Sequence, residues 1–137
     1  MVAYSFKARF AEPILAGSKG GTIRAARKVA ARRLPPDRPG GHARPGEMLQ
    51  LYAGMRTKHC WRIADKRCLD TERIILSFGG SLIGLASRPI YRLEDLDTFA
   101  RFDGFESWLE MCAFWHPAAC FEGWHIRWLP LPEAVRG

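Results

Sequence analysis

A threonine, a lysine and an arginine lie close together in Gly17-Ser18-Lys19-Gly20-Gly21-Thr22-Ile23-Arg24, a string of the form G-x-K-x-x-T-x-R. These residue types at this spacing admit two chemistries. A Thr hydroxyl is a poor nucleophile until a base takes its proton. Lys19 is that base if burial or a second cation lowers its pKa. Arg24 is the candidate second cation, because two residues along a strand it shares a face with Thr22. The other chemistry is binding. Lys19 and Arg24 would hold a phosphate or carboxylate, the arginine as a bidentate fork. Tyr52, Trp61 or Trp124 would then stack on an exposed base. The plain structural alternatives are a solvated Lys19 and a strand threonine with a satisfied hydroxyl.

Other reactive types are less organised. His42, His59, His116 and His125 show no HxH or HExxH spacing, so a nuclease site using one of them as acid or base has no local signature. Cys60, Cys68, Cys112 and Cys120 form no CxxC pair, which points away from zinc and toward packing as small apolar side chains. Glu94, Asp95 and Asp97 are clustered, but at a helix start they serve as dipole partners.

The elements that must position the string are legible on either side of it. Val2 to Phe6 alternates as a strand with Val2, Tyr4 and Phe6 on one face. A short helix is predicted over Ala11 to Ala16, with Phe10, Ile14 and Leu15 apolar, Pro13 tolerated in the first turn and Gly17 as its C-cap. Glu47 to Ala53, His59 to Ala64 and Glu72 to Phe78 read as strands, the last two separated by the polar stretch Asp65 to Thr71. Gly79-Gly80-Ser81 marks a turn, and Pro89 to Arg92 an extended edge. Two helices follow: one over about Asp95 to Arg101 with Leu96, Phe99 and Ala100 inward, and one opened by a capping box at Asp103 to Glu106. The second presents Phe105, Trp108, Leu109 and Cys112 on one face and ends at Pro117. Trp124 to Leu129 closes the chain as a strand.

At 137 residues the chain suits one domain, 1–137, with one sizeable core. Five or six strands, a short early helix and two helices in the C-terminal half favour an α+β fold, a small mixed β-barrel with helices packed around it. The charge is uneven. Residues 1–92 hold 18 Lys/Arg against 6 Asp/Glu, and residues 93–137 hold 3 against 8, within a total of +7. Positive charge concentrated in this way attracts polyanions through counterion release. Much of it sits in a Pro/Gly-rich segment at about 27–46, which is predicted to be a long loop. Its arginines Arg27, Arg32, Arg33 and Arg38 would follow a nucleic-acid backbone. The first twenty residues lack a signal-peptide core, and no apolar run reaches the roughly 18 residues of a membrane span, so a cytoplasmic protein is expected.

The G-x-K-x-x-T-x-R string following a short helix resembles the signature of the ASCH family. Gly46-Glu47-Met48-Leu49-Gln50-Leu51-Tyr52 is similar to that family's strand after the motif, and Phe99-Ala100-Arg101-Phe102-Asp103-Gly104-Phe105 is similar to its helix junction. Trp124-His125-Ile126-Arg127-Trp128 stands where the family closes its barrel, so the likeness covers most of the chain. The resemblance implies a PUA-like β-barrel, a cleft between barrel and helices, and an RNA or cytidine-type nucleotide as partner. From the residues themselves no cofactor, metal, membrane or obligate protein partner is expected. Some members hydrolyse N4-acetylcytidine, and at least one is described as a metal-dependent ribonuclease. Carried onto this chain, the amidohydrolase residues fall on Lys19, Thr22 and Asp103; the chain's own charge and aromatic residues make Arg24, Arg27, Arg32, Arg33 and Tyr52 the candidates for contact with RNA. Asp103 is one methylene shorter than the glutamate of those enzymes, and the 27–46 loop is longer and more basic than such an enzyme needs.

Overall fold

The computed structural model describes residues 2–26 and 38–128. Among them are seven strands: β1 (Val2–Phe6), β2 (Gly21–Arg24), β3 (Met48–Ala53), β4 (Trp61–Ser77), β5 (Leu82–Leu85), β6 (Pro89–Ile90) and β7 (Cys120–Trp128). Three α-helices accompany them: α1 (Ala11–Ala16), α2 (Leu93–Phe102) and α3 (Trp108–Trp115). The fold is mixed α+β. The strands number seven rather than five or six, because Gly21–Arg24 and Leu82–Leu85 pair as strands in their own right.

The main path through the sheet runs β1–β3–β4–β7–β2, with β5 and β6 continuing from the far half of β4. β1 and β3 are parallel, so Val2, Tyr4 and Phe6 stand directly beside Leu49, Leu51 and Ala53, and all six are buried. The sheet is open. β1, β2 and β6 are its edges, and among the described residues no strand pairing joins β1 to β2.

β4 is one strand of 17 residues where two were expected. The polar stretch Asp65–Thr71 does not break it, because its backbone is paired throughout. The first half pairs with β3 and the second with β7 and β5. A register shift between Cys68 and Asp70 lets the strand bend from one partner to the next, as a bulge does. Asp70 then reaches across and accepts from both Nε and Nη2 of Arg127.

Two helical expectations change. The N-cap of α3 is Ser107, whose hydroxyl accepts from the Glu110 backbone N–H at 3.1 Å. The capping sequence is therefore Ser107-Trp108-Leu109-Glu110, and Asp103 closes the C-terminus of α2 instead. Because α3 starts later, its inward face is Trp108 and Met111, and Leu109 points to solvent at 77% exposure. Leu15 on α1 is likewise exposed, while Phe10, Ala11 and Ile14 are buried. One turn of helix has room for only one buried stripe. The inward residues of α2, Leu96, Phe99 and Ala100, are as expected.

Candidate functional site

α1 ends at Gly17 in the left-handed conformation, and the N–H groups of Ser18 and Lys19 both donate to the Pro13 carbonyl at 3.0 Å. This turn swings the Lys19 side chain inward, where it is only 3% exposed. The chain then enters β2 through Gly20. A Cβ there would lie 2.6 Å from the Phe102 ring, so glycine permits the end of α2 to close down on the strand. The Gly20 N–H donates to the Phe102 carbonyl at 2.9 Å and fixes that approach. Asp103, the next residue, is thereby carried to Lys19 although 84 residues separate them in sequence.

The Lys19 ammonium donates to the Gly21 carbonyl at 2.7 Å and the Asp103 carbonyl at 2.5 Å, and it lies 3.5 Å from Asp103 Oδ1. The Phe10 and Phe6 rings stand 4.9 and 5.4 Å from it. Burial lowers the pKa of Lys19; the Asp103 charge opposes that and Arg24 adds to it. Burial likewise pushes the Asp103 carboxyl up to about 6, against the pull of Lys19 and Arg24. Desolvation is the largest cause on both partners, so each is moved toward its neutral form. Asp103 Oδ1 is fully enclosed and has no hydrogen bond.

Thr22 is buried and accepts from Arg24 Nε at 3.0 Å, which leaves the hydroxyl proton for another acceptor. Arg24 Nη2 donates to the Ser5 carbonyl at 2.6 Å. Its guanidinium therefore spans the gap between the edge strands β2 and β1, over the Phe6 and Tyr4 rings at 4.9 and 5.3 Å. Lys19, Thr22, Arg24 and Asp103 all line one cavity of about 260 Å³ at this open seam. Phe6, Phe10, Phe105 and Phe114 form its apolar walls. None of these aromatic residues was singled out for the site from sequence. The alternation of β1 puts Phe6 on the inner face, but nothing local shows that this face opens into a cleft.

The remaining expected residues are placed as follows. Arg27, Arg32 and Arg33 lie outside the described residues. Arg38 forks the Glu47 carboxylate at 2.8 and 2.6 Å, which holds the Glu47 pKa down at about 2. Tyr52 is half-buried on the face of β3 opposite Leu51 and Ala53, with the Arg62 guanidinium 6.0 Å from its ring, and it does not line the Lys19 cavity. Trp124 is half-buried, and Trp61 is 46% exposed.

Among the described residues no group of three His, Cys, Asp or Glu side chains could hold a metal. Cys68 is buried as expected of a packing residue, whereas Cys60 and Cys120 are exposed and Cys112 is half-buried. His42 is buried between the Tyr4 hydroxyl at 2.9 Å and the Ala25 carbonyl at 2.7 Å. With Nε2 donating to the carbonyl, Nδ1 accepts from the tyrosine. His125 is buried against Phe99 and Phe102, and burial holds its pKa down at about 3. No helix among the described residues is long and apolar enough to cross a membrane. No protein-family model matches the chain, and neither the curated proteins nor the solved structures contain a match to it.

Proposed function

We propose that the chain is an ASCH-like domain, its open curled sheet a variant of the PUA-like barrel, and that the seam cleft recognises a nucleobase of cytidine type borne by RNA or a nucleotide. The observation that carries this reading is Asp103, a buried carboxylate that lines the cleft together with Thr22 and Arg24. A carboxylate at the wall of a cleft favours a ligand that brings an N–H donor. The exocyclic amine of cytosine is such a donor. The aromatic walls supply apolar contact for the flat base.

A hydrolase acting on an N-acylated cytidine at the same cleft is the second reading. It is favoured by the shifts of Lys19 and Asp103 toward neutrality, which suit a base and an acid near neutral pH. Against it, the Lys19 ammonium donates to the Gly21 and Asp103 carbonyls and makes no hydrogen bond to Thr22. A base must offer the hydroxyl a lone pair.

One pair of measurements on the purified protein separates these readings. Cytidine binding is expected for the wild type. Asp103→Asn should weaken it about tenfold or more, the direction expected when an ionised acceptor is lost. Wild-type affinity should rise as pH increases through about 6 and Asp103 ionises. Release of acetate from N4-acetylcytidine, lost in Thr22→Ala, would instead establish the hydrolase. No binding and no turnover would remove both.

A further inference from the structure

The seam cleft does not end at Phe6. A second cavity of about 540 Å³ adjoins it, and Ser5, Phe6 and Lys7 line both. Register explains the second space. Phe6 pairs with Ala53 across β1 and β3, and Ala53 pairs with Trp61 across β3 and β4. The three residues form one row across three strands. The middle one, Ala53, is buried, and the second cavity is the gap bounded by it, by Phe6 and by the more exposed Trp61. Trp61, 46% exposed at the start of β4, is one wall of that gap, with His59 beside it. Lys7 is exposed where the two cavities meet.

We infer that the two cavities together hold two consecutive nucleotides of a single strand, so that the ligand is strand-borne RNA rather than a free nucleoside. This rests on the nucleobase reading of the first cleft. The first base occupies the Asp103 cavity. Its neighbour enters the second cavity and stacks on Trp61, an interaction open to any base because every base has a π-face. The Lys7 ammonium stands at the junction, where the linking phosphate must pass, and meets it as a mobile point charge. A flat exposed indole and a cation at the shared wall suit a base and a phosphodiester better than an apolar peptide, which would gain nothing from Lys7.

The test compares cytidine with the dinucleotide CpU, by calorimetry or by quenching of tryptophan fluorescence. CpU should bind at least about tenfold more tightly than cytidine, in line with stacking of one further base. Trp61→Ala should remove that advantage and leave cytidine affinity unchanged, and Trp61→Phe should restore most of it. Lys7→Ala should weaken CpU more than cytidine and flatten the salt dependence of CpU binding. Trp61 is half exposed, and matching melting curves would show that its replacement leaves the fold in place. Equal affinity for cytidine and CpU, or a Trp61→Ala variant that binds both as the wild type does, would overturn the two-nucleotide inference while the first-cleft reading stood. Cytidine and CpU both failing to bind would overturn both. Binding of an aromatic peptide at Trp61 with no advantage for CpU would assign the second cavity to a protein partner and also overturn the inference.

Discussion

Burial drives both members of the Lys19–Asp103 pair toward their neutral forms. That makes the pair visible in stability as well as in binding. The native state holds the Asp103 proton up to about pH 6, whereas the unfolded chain releases it near 3.8. The stability this group contributes is therefore full below about pH 4 and is lost as pH rises through about 6. His125, held down at about 3, titrates with the opposite sign over the same range, so Asp103→Asn should make stability rise more steeply with pH than in the wild type, which urea midpoints taken between pH 4 and 7 for the two proteins would show. An unchanged slope would place Asp103 in water. Glu47 titrates with the opposite sign. Its folded pKa of about 2, set by the Arg38 fork, gives stability that is present above 4.5 and lost only as pH falls toward 2, so the two windows barely overlap.

At the scale of elements, α2 and α3 show how one acid can be read in two ways. Asp103-Gly104-Phe105-Glu106 has the composition of a capping box, and so does Ser107-Trp108-Leu109-Glu110 four residues later. Both sequences satisfy the local rule, and packing chooses between them. Phe105 goes into the core against Phe10, with ring centroids 5.5 Å apart, so the segment before Ser107 must cross between helices rather than begin one. Gly104, at φ +103°, makes that crossing, and a Cβ there would sit 2.9 Å from Lys19 Cδ. Asp97 helps to place the second helix by accepting from the Trp108 N–H at 2.8 Å. Ser107→Ala should thus cost about 1 kcal/mol of stability through loss of the cap and leave cytidine binding unchanged. Chemical denaturation and a binding curve on the same variant would check both halves.

For the whole molecule, the open sheet and the charge distribution act together. The cleft lies where β1 and β2 fail to pair, and Arg24 bridges them with its side chain in place of a backbone ladder. The net charge of +7 arises from an excess of cations in residues 1–92, the same portion that supplies β1 and β2. Six Lys/Arg belong to 27–46, a segment that begins soon after β2 ends. Affinity for single-stranded RNA should fall steeply with salt, by an amount set by the number of phosphates neutralised. Changing Arg27, Arg32 and Arg33 together to alanine should flatten the log–log salt slope. A slope that does not move would leave those arginines with a role in solubility alone. Arg38 is omitted from that set because its guanidinium already forks Glu47.

The sequence by itself determined what depends on neighbours a few residues away. The alternations of β1 and β3, the α1 helix with its Gly17 cap, and the inward face of α2 are set by side-chain period and by residue types at element ends. The grouping of Lys19, Thr22 and Arg24 was legible for the same reason: two- and three-residue offsets at the start of a strand bring them near one another whatever the rest of the chain does. Only the tertiary structure decided the features that depend on distant partners. β4 runs on through a polar stretch because β3 and then β7 satisfy its backbone, and no local pattern announces that second partner. Leu15 and Leu109 face water because other residues took the single buried stripe on their helices. Asp103 meets Lys19 because Gly20 has no side chain to hold Phe102 away, a steric condition between residues on separate elements. Phe6, Ala53 and Trp61 bound one cavity because cross-strand register sets them in a row, and register between strands is fixed by the assembled sheet.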